Sequence, residues 1–241
     1  MPTFLFAFAG GGASSWRGYV RADPPDLALC PVALPGRERR AAEPQPRRLD
    51  DLARSLGETI LPLLGGPFVF FGHSFGAILA TAVARHLHGR HGLSPALLVA
   101  ACARPVHRRV KYGDPISGLS DEEFLDALGR RTGVAPLAEF RDRPEAMSAF
   151  LPPLRTDLAL MEASATPPAS PVADAVLSVG GTDDPDISPE DVRSWGAYSR
   201  GPHRHHMVPG GHFTIFDRVD PVLGLVSQAC GEVLGNDGKE A

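Results

Sequence analysis

The sequence predicts an α/β fold in which a mostly parallel sheet carries helices on both faces. Short apolar runs alternate along the chain with longer amphipathic stretches. Several of these runs are continuously apolar, which is typical of strands that are covered on both faces. The chain has 241 residues, of which 43% are hydrophobic, enough for one domain with a substantial core.

Six apolar runs are predicted as strands and four amphipathic stretches as helices. The strands are Phe4–Ala9, Leu27–Leu34, Phe68–Phe71, Ala96–Ala101, Ala175–Val179 and His205–Val208. The helices are Asp50–Leu64, Gly76–His88, Pro189–Tyr198 and Pro221–Leu234. Because neither a repeat nor a linker separates two cores, we expect residues 1–241 to form a single domain.

The segment between Ser120 and Ser164 breaks this alternation and has a helical pattern. Ser120 precedes Glu123 by three residues, a capping box that predicts the start of a helix. Prolines divide the rest into short predicted helices: Pro136, Pro144, Pro152 and Pro153. Since the segment is longer than a strand crossover requires, we expect a helical cap, or lid, inserted at about 118–165.

Charge and composition exclude several classes of protein. The formal net charge of -4 gives no footprint for general nucleic-acid binding. No apolar run reaches the roughly 18 residues of a membrane-spanning helix, and Met1-Pro2-Thr3-Phe4-Leu5 lacks the basic stretch of a secretory signal. The cysteines Cys30, Cys102 and Cys230 are too few for a disulfide scaffold. We therefore expect a cytoplasmic protein without nucleic-acid or membrane partners.

The strongest local signal is Gly72-His73-Ser74-Phe75-Gly76, a G-x-S-x-G pattern between an apolar strand and an alanine-rich helix. This context is typical of a nucleophile elbow, in which the glycines permit a very tight turn. The turn would raise the Ser74 hydroxyl above the sheet at a helix N-terminus. The alternative is a strand-to-helix turn whose serine only caps the helix.

A serine hydroxyl needs a base, and His212 is the best candidate among nine histidines. It follows Gly210-Gly211 in a loop between the last strand and the last helix, from which an imidazole can face the elbow. The alternative is a loop histidine in solvent.

The six other histidines considered fall into two groups: His86, His88 and His91 in or just past the helix after the elbow, and His203, His205 and His206 in one short stretch. The first group is expected at the surface. The second group suggests a metal site, but neither a cysteine nor a carboxylate accompanies it at ligand spacing. We predict no metal and no organic cofactor.

The third member of a triad is a carboxylate that orients the imidazole. The chain order serine, acid, histidine places this acid in the turn after Ala175–Val179. Asp184 is the first choice, Asp183 the second and Asp186 the third. The alternative is that all three aspartates only form the turn.

An oxyanion needs backbone N–H donors that are already in place. One is the amide of Phe75, the residue after the nucleophile. The second is expected in the glycine-rich loop after the first strand, where Ala9 is the first choice and Phe8 the second. Such a loop could instead bind phosphate, but neither a G-x-G-x-x-G pattern nor a P-loop lysine is present.

Together these motifs resemble the type II thioesterases, the free-standing editing enzymes of polyketide and nonribosomal peptide assembly lines, which have an α/β-hydrolase fold. The resemblance covers nearly the whole chain. Besides the elbow, the segments that carry it are Phe6-Ala7-Phe8-Ala9-Gly10-Gly11 (family FPxAGG), Leu34-Pro35-Gly36-Arg37-Glu38 (LPGRE), Leu151-Pro152-Pro153-Leu154-Arg155-Thr156-Asp157 (LPxLRAD), Gly181-Thr182-Asp183-Asp184 and Gly210-Gly211-His212-Phe213. Ala7 stands where the family usually has proline.

The resemblance implies hydrolysis of an acyl group held as a thioester on the phosphopantetheine arm of an acyl or peptidyl carrier protein. It also implies Ser74, Asp184 and His212 as the triad, with no cofactor. A thiol leaves more readily than an alkoxide, so His212 has to supply less acid assistance than in an ester hydrolase. We expect a monomer.

Two further sets of residues are predicted around the substrate. Apolar lid residues that could line an acyl pocket are Phe124, Leu128, Met147, Phe150, Leu158 and Met161, although such residues at helical spacing are more often plain core. The arginines expected to dock an acidic carrier protein are Arg104, Arg108 and Arg109. Charge reversal at these arginines should slow turnover of carrier-bound substrate and spare a small soluble thioester.

Three other functions stay open at this point. A carboxylesterase or lipase can have the same fold and the same triad. An acyltransferase also carries a GHSxG serine but passes the acyl group to an acceptor other than water. A non-catalytic module that only binds acyl carriers could have kept the fold.

Overall fold

The computed structural model describes residues 1–108, 115–132, 144–164 and 168–236. The strands are β1 Pro2–Phe6, β2 Ala28–Pro31, β3 Val69–His73, β4 Leu97–Ala101, β5 Ala175–Gly181 and β6 His203–Val208. They form one sheet in the order β2-β1-β3-β4-β5-β6, and every neighbouring pair is parallel. The predicted α/β class with a parallel sheet is confirmed.

The α-helices of the described residues are α1 Arg17–Ala22, α2 Leu49–Ile60, α3 Phe75–His91, α4 Asp121–Thr132, α5 Pro144–Ala163, α6 Pro189–Arg193, α7 Thr214–Asp217 and α8 Val219–Asn236. Short 3-10 helices occur at Ala13–Trp16, Glu38–Arg40, Leu61–Leu63, Val106–Arg108 and Ser194–Tyr198. None of the described helices combines the length and apolar character needed to cross a bilayer.

The core is divided between the two faces of the sheet because successive strand residues point to opposite sides. Phe4 and Phe70 pack on the side of α2 and α3, whereas Leu5 and Phe71 pack on the side of α1 and α8. All four side chains are buried. Helices on both faces therefore explain why the strand sequences are continuously apolar.

The prediction that prolines break the segment after β4 into short helices is wrong for α5, which is one helix of 20 residues with Pro152 and Pro153 inside it. Each proline removes a backbone hydrogen bond, but its fixed φ is close to the helical value. The buried side chain of Leu154 holds this turn against its neighbours. Pro144 begins the helix, where the missing N–H costs nothing, and Pro136 lies outside the described residues.

The topology brings the predicted site residues to one edge of the sheet. The strand order reverses between β1 and β3, the place where open α/β sheets bind ligands beyond the carboxyl ends of their strands. Ser74 follows β3, Ala9 lies in the loop after β1, Asp184 follows β5 and His212 follows β6. Because all these strands are parallel, the four loops emerge on the same side.

Candidate active site

Ser74 has a strained backbone on the turn between β3 and α3. Its φ of 53° and ψ of -118° are uncommon for a residue other than glycine. Its N–H donates to the carbonyl of Ala101 at 2.9 Å, and its own carbonyl accepts from Ala77 at 3.0 Å. Strain of this kind persists only when the surrounding structure fixes it, and it is concentrated at functional sites.

The two glycines of the pentapeptide are required by close backbone contacts. A Cβ atom on Gly72 would lie 2.4 Å from Cα of Ala77, and one on Gly76 would lie 2.0 Å from the carbonyl oxygen of Phe6. Both contacts are with backbone that belongs to α3 or β1, so neither can move aside easily. The glycines therefore allow α3 to begin directly beside the end of β1.

Ser74, His212 and Asp184 form one hydrogen-bonded series. Nε2 of His212 lies 3.1 Å from Oγ of Ser74, and Nδ1 lies 2.7 Å from Oδ2 of Asp184. The other carboxylate oxygen accepts N–H bonds from Asp186 at 3.0 Å and Ile187 at 3.2 Å. Because the fully buried carboxylate accepts the Nδ1 proton, Nε2 is left free to accept the proton of the hydroxyl.

The structure distinguishes between the aspartates of the turn. Asp184 reaches His212, whereas Asp183 is exposed and its N–H donates to the carbonyl of Gly210 at 2.9 Å. Asp186 is partly buried, and burial raises the pKa of its carboxyl while Arg104 acts in the opposite direction. The first choice made from the sequence is thus the one that contacts the imidazole.

The sequence predicts the backbone amides of Ala9 and Phe75 as oxyanion donors, and the structure brings the two segments together. Phe75 begins α3, and the close contact between Gly76 and Phe6 brings this helix start against the segment that leads to Ala9. Neither amide donates a hydrogen bond to another described residue. The other candidate, Phe8, has its carbonyl bonded to the N–H of Gly11 at 2.9 Å, and its ring faces inward.

A buried ion pair holds the loop after β1. Arg37 donates Nη1 and Nη2 to the two carboxylate oxygens of Asp157 at 2.6 and 2.8 Å. The same carboxylate accepts the N–H of Gly10 at 2.8 Å, and the guanidinium also donates to the carbonyl of Gly11 at 2.9 Å. Burial raises the pKa of Asp157, while the donors from Arg37 and Gly10 lower it. The LPGRE-like and LPxLRAD-like motifs therefore jointly fix the predicted oxyanion loop.

His73, the residue before the nucleophile, has a role that the sequence reasoning missed. Its fully buried ring donates Nε2–H to the carbonyl of His212 at 2.7 Å. The rings of Phe8, Phe213 and Phe216 surround it, with centroids 5.6, 5.3 and 5.1 Å away. Burial, reinforced by the nearby ring of His212, lowers the pKa of His73 to about 3. The neutral imidazole thus ties down the loop that carries His212.

This environment predicts that stability is lost on acidification. Unfolded His73 takes up a proton near pH 6.5, whereas the folded protein resists it down to about pH 3. The unfolded state therefore binds more protons between these values, and the stabilisation present above pH 6.5 disappears as the pH falls. Between pH 7 and pH 4 this group should remove about 3 kcal/mol from the free energy of unfolding.

Urea unfolding at pH 7, 5.5 and 4 checks this prediction with wild type and His73→Phe. The variant should lose less stability on acidification than wild type does, whatever its stability at pH 7. The exposed His88 offers a matched control, since His88→Phe should keep the wild-type acid response. An identical loss in wild type and His73→Phe would contradict the assignment.

The predicted lid residues occupy two different environments. Phe124, Leu128, Met147, Phe150 and Leu158 share one apolar cluster with Ala9, whereas Met161 packs against the main core. Phe124 is fully buried under the guanidinium of Arg155, 4.2 Å from the ring centroid, so it packs inside the cluster. Phe150 lies against the predicted oxyanion loop, since its Cε2 would be 3.0 Å from a Cβ atom on Gly10.

The arginines predicted to dock a carrier protein are engaged in ion pairs. Arg104 and Arg108 both approach Oδ1 of Asp191, at 3.2 and 3.5 Å, and Arg108 also pairs with Glu190 at 2.7 Å. The side chain of Arg104 is only 19% exposed. Arg109 lies outside the described residues. The guanidinium groups of Arg104 and Arg108 are therefore paired with carboxylates in the folded protein.

Comparison with known proteins identifies the family, because residues 1–230 match the thioesterase domain. The chain belongs to the thioesterase domain family. This thioesterase is 33% identical over 224 residues to "Linear gramicidin dehydrogenase LgrE" of Brevibacillus parabrevis, covering 92% of this chain and 85% of that protein. It is 30% identical over 223 residues to "Thioesterase PikA5" of Streptomyces venezuelae, covering 91% of this chain and 77% of that protein.

Similarity to a solved structure supports the same family assignment. The type II thioesterase BorB from the borrelidin biosynthetic cluster superimposes with a TM-score of 0.83 at 28% identity, covering 95% of this chain and 91% of that one. The predicted α/β-hydrolase fold is therefore confirmed, and the protein is an enzyme that acts on thioesters.

Proposed function

We propose that this thioesterase is a type II editing enzyme that hydrolyses acyl groups from the phosphopantetheine arm of acyl or peptidyl carrier proteins. The observation that carries the proposal is the series Ser74, His212 and Asp184, already aligned for nucleophilic catalysis. The family and the similarity to BorB, a type II thioesterase of a biosynthetic cluster, support a role in polyketide or nonribosomal peptide biosynthesis.

The reaction proceeds in two halves. Oγ of Ser74 attacks the thioester carbonyl while Nε2 of His212 takes the hydroxyl proton, and the amides of Ala9 and Phe75 stabilise the oxyanion. The C–S bond then breaks, and His212 returns the proton to the departing thiolate of the carrier arm. In the second half His212 removes a proton from water, which attacks the acyl-Ser74 ester. The bond between the acyl carbon and Oγ then breaks, His212 returns the proton to Oγ, and the free acid leaves.

Two helices are proposed as the lid of the site. α4 and α5 fall within the interval 118–165 and contribute the apolar cluster that adjoins Ala9. Among the predicted lid residues, Phe150 is the one that lies against Gly10 of the predicted oxyanion loop, so we propose that it contacts the acyl group near the reacting carbonyl. In this proposal residues 1–241 form one hydrolase domain with the lid as its insertion.

The arginines predicted to dock the carrier protein also hold structural ion pairs. The charges of Arg104 and Arg108 are shared with Asp191, so charge reversal there would also break structural ion pairs. A docking effect therefore has to appear as a rate loss on carrier-bound substrate that a small thioester of the same acyl group does not show.

The decisive experiment compares wild type and Ser74→Ala on a panel of acyl-loaded carrier proteins. Wild type should release free acid and carrier thiol, and the variant should not. The same acyl group offered as a soluble thioester and as its oxygen ester separates a thioesterase from a carboxylesterase. Faster turnover of the oxygen ester, or transfer of the acyl group to an acceptor other than water, would overturn the proposed function.

A further inference from the structure

Two histidines and a glutamate converge on the α2–α3 pair, outside the groups that the proposed reaction uses. His86 and His91 on α3 both direct Nε2 at the same oxygen, Oε1 of Glu58 on α2, at 2.8 and 3.1 Å. The three donor atoms all lie within 4.8 Å of one another. The sequence suggests only surface histidines here, but the two rings face a common point.

The packing of the helices orients this cluster. A Cβ on Gly57 would lie 2.7 Å from Cδ2 of His86, so the missing side chain lets α2 approach the imidazole closely. The side chains of His86 and His91 are 20% and 24% exposed, and that of Glu58 is 48% exposed. The donors are therefore held from one side and open to solvent on the other.

We propose that Glu58, His86 and His91 bind one divalent first-row transition-metal ion, and that Zn²⁺ is the ion that these ligands fit best. Imidazole and carboxylate are donors that Zn²⁺ uses, at about 2.0–2.2 Å. Donors around a tetrahedral ion at such distances are about 3.3 Å apart, close to the separations from Glu58 to the two histidines. A neutral imidazole binds through Nε2 once its proton resides on Nδ1, and water completes the tetrahedron.

The ion would join the end of α2 to the end of α3. Glu58 is two residues from the last residue of α2, and His91 is the last residue of α3. An ion that binds only the folded protein stabilises it by mass action. Because none of its ligands belongs to the proposed reaction, the site is expected to affect stability and not the chemical step.

Zinc binding to the full chain, first stripped with EDTA, tests the proposal. Equilibrium dialysis against Zn²⁺ should give about one ion per chain, and saturating Zn²⁺ should raise Tm by about 5 °C or more. His86→Ala and His91→Ala should each weaken binding at least about tenfold. Glu58→Gln tests the same site in a second way, since it keeps the shape of the side chain but removes the anionic ligand, and it should also weaken Zn²⁺ binding.

His88→Ala is the matched control, because His88 lies on the same helix and its Nδ1 faces Ser94 at 3.1 Å. This variant should bind Zn²⁺ like wild type. Co²⁺ gives a spectroscopic check, since a four-coordinate ion should produce visible absorption that His86→Ala and Glu58→Gln lose. A dissociation constant of about 100 µM would be weak for such a site. The proposal is therefore overturned if wild type binds no Zn²⁺ at about 100 µM, or if His86→Ala binds as well as wild type.

Discussion

Ser74→Ala should lower kcat for thioester hydrolysis by about 10⁴- to 10⁶-fold while leaving the protein folded. The variant removes the oxygen that forms the acyl-enzyme in the proposed reaction, whereas the hydrogen bonds that shape the turn come from the backbone of Ser74. Single-turnover hydrolysis of an acyl-loaded carrier measures the loss. The Tm should stay close to that of wild type, which separates a chemical defect from a folding defect.

His212→Ala should cost about as much as Ser74→Ala, and the double variant should be no worse, because the two residues act as one unit. A double variant whose loss is the product of the two single losses would contradict this. Asp184→Asn should lower kcat by about 10⁴-fold, since it disturbs the tautomer that His212 needs. The neighbouring Asp183→Asn is the control, and as an exposed substitution it should change kcat only about twofold.

Local sequence patterns predict the parts of this fold that depend on neighbouring residues. The continuous apolar runs indicate buried strands. The G-x-S-x-G pentapeptide indicates the turn, because its glycines are required by close backbone contacts within a few residues and with the adjacent strand. The sequence ranks Asp184 ahead of Asp183, but the turn pattern suits both aspartates equally. Only the direction in which Asp184 faces His212 distinguishes them.

Features that join distant segments escape such patterns. Arg37 and Asp157 are 120 residues apart in the chain, and each belongs to a motif that carries no sign of the other. His73 occupies the variable position of the pentapeptide, and its only local signal is a histidine at the end of an otherwise apolar strand. The cluster of Glu58 with His86 similarly depends on how two helices pack.

Arg37→Ala should destabilise the protein by about 3–5 kcal/mol, because it leaves the fully buried carboxylate of Asp157 without its bidentate partner. Urea unfolding at pH 7 measures the change in the free energy of unfolding. The exposed pair of Arg54 and Asp51 offers a matched control, since Arg54→Ala breaks an ion pair of similar length, 2.9 Å, in solvent. That substitution should cost less than about 1 kcal/mol.

The double variant Arg37→Met/Asp157→Leu separates the contribution of this ion pair to stability from its contribution to the shape of the loop after β1. Apolar side chains of similar volume avoid an uncompensated buried charge, so the double variant should be more stable than either single substitution. Its kcat should nevertheless stay about 10²- to 10³-fold below wild type, because Gly10 and Gly11 lose the bonds that hold the loop of the proposed donor Ala9. Recovery of kcat along with stability would mean that the ion pair supports only the fold and that the loop keeps its shape without it.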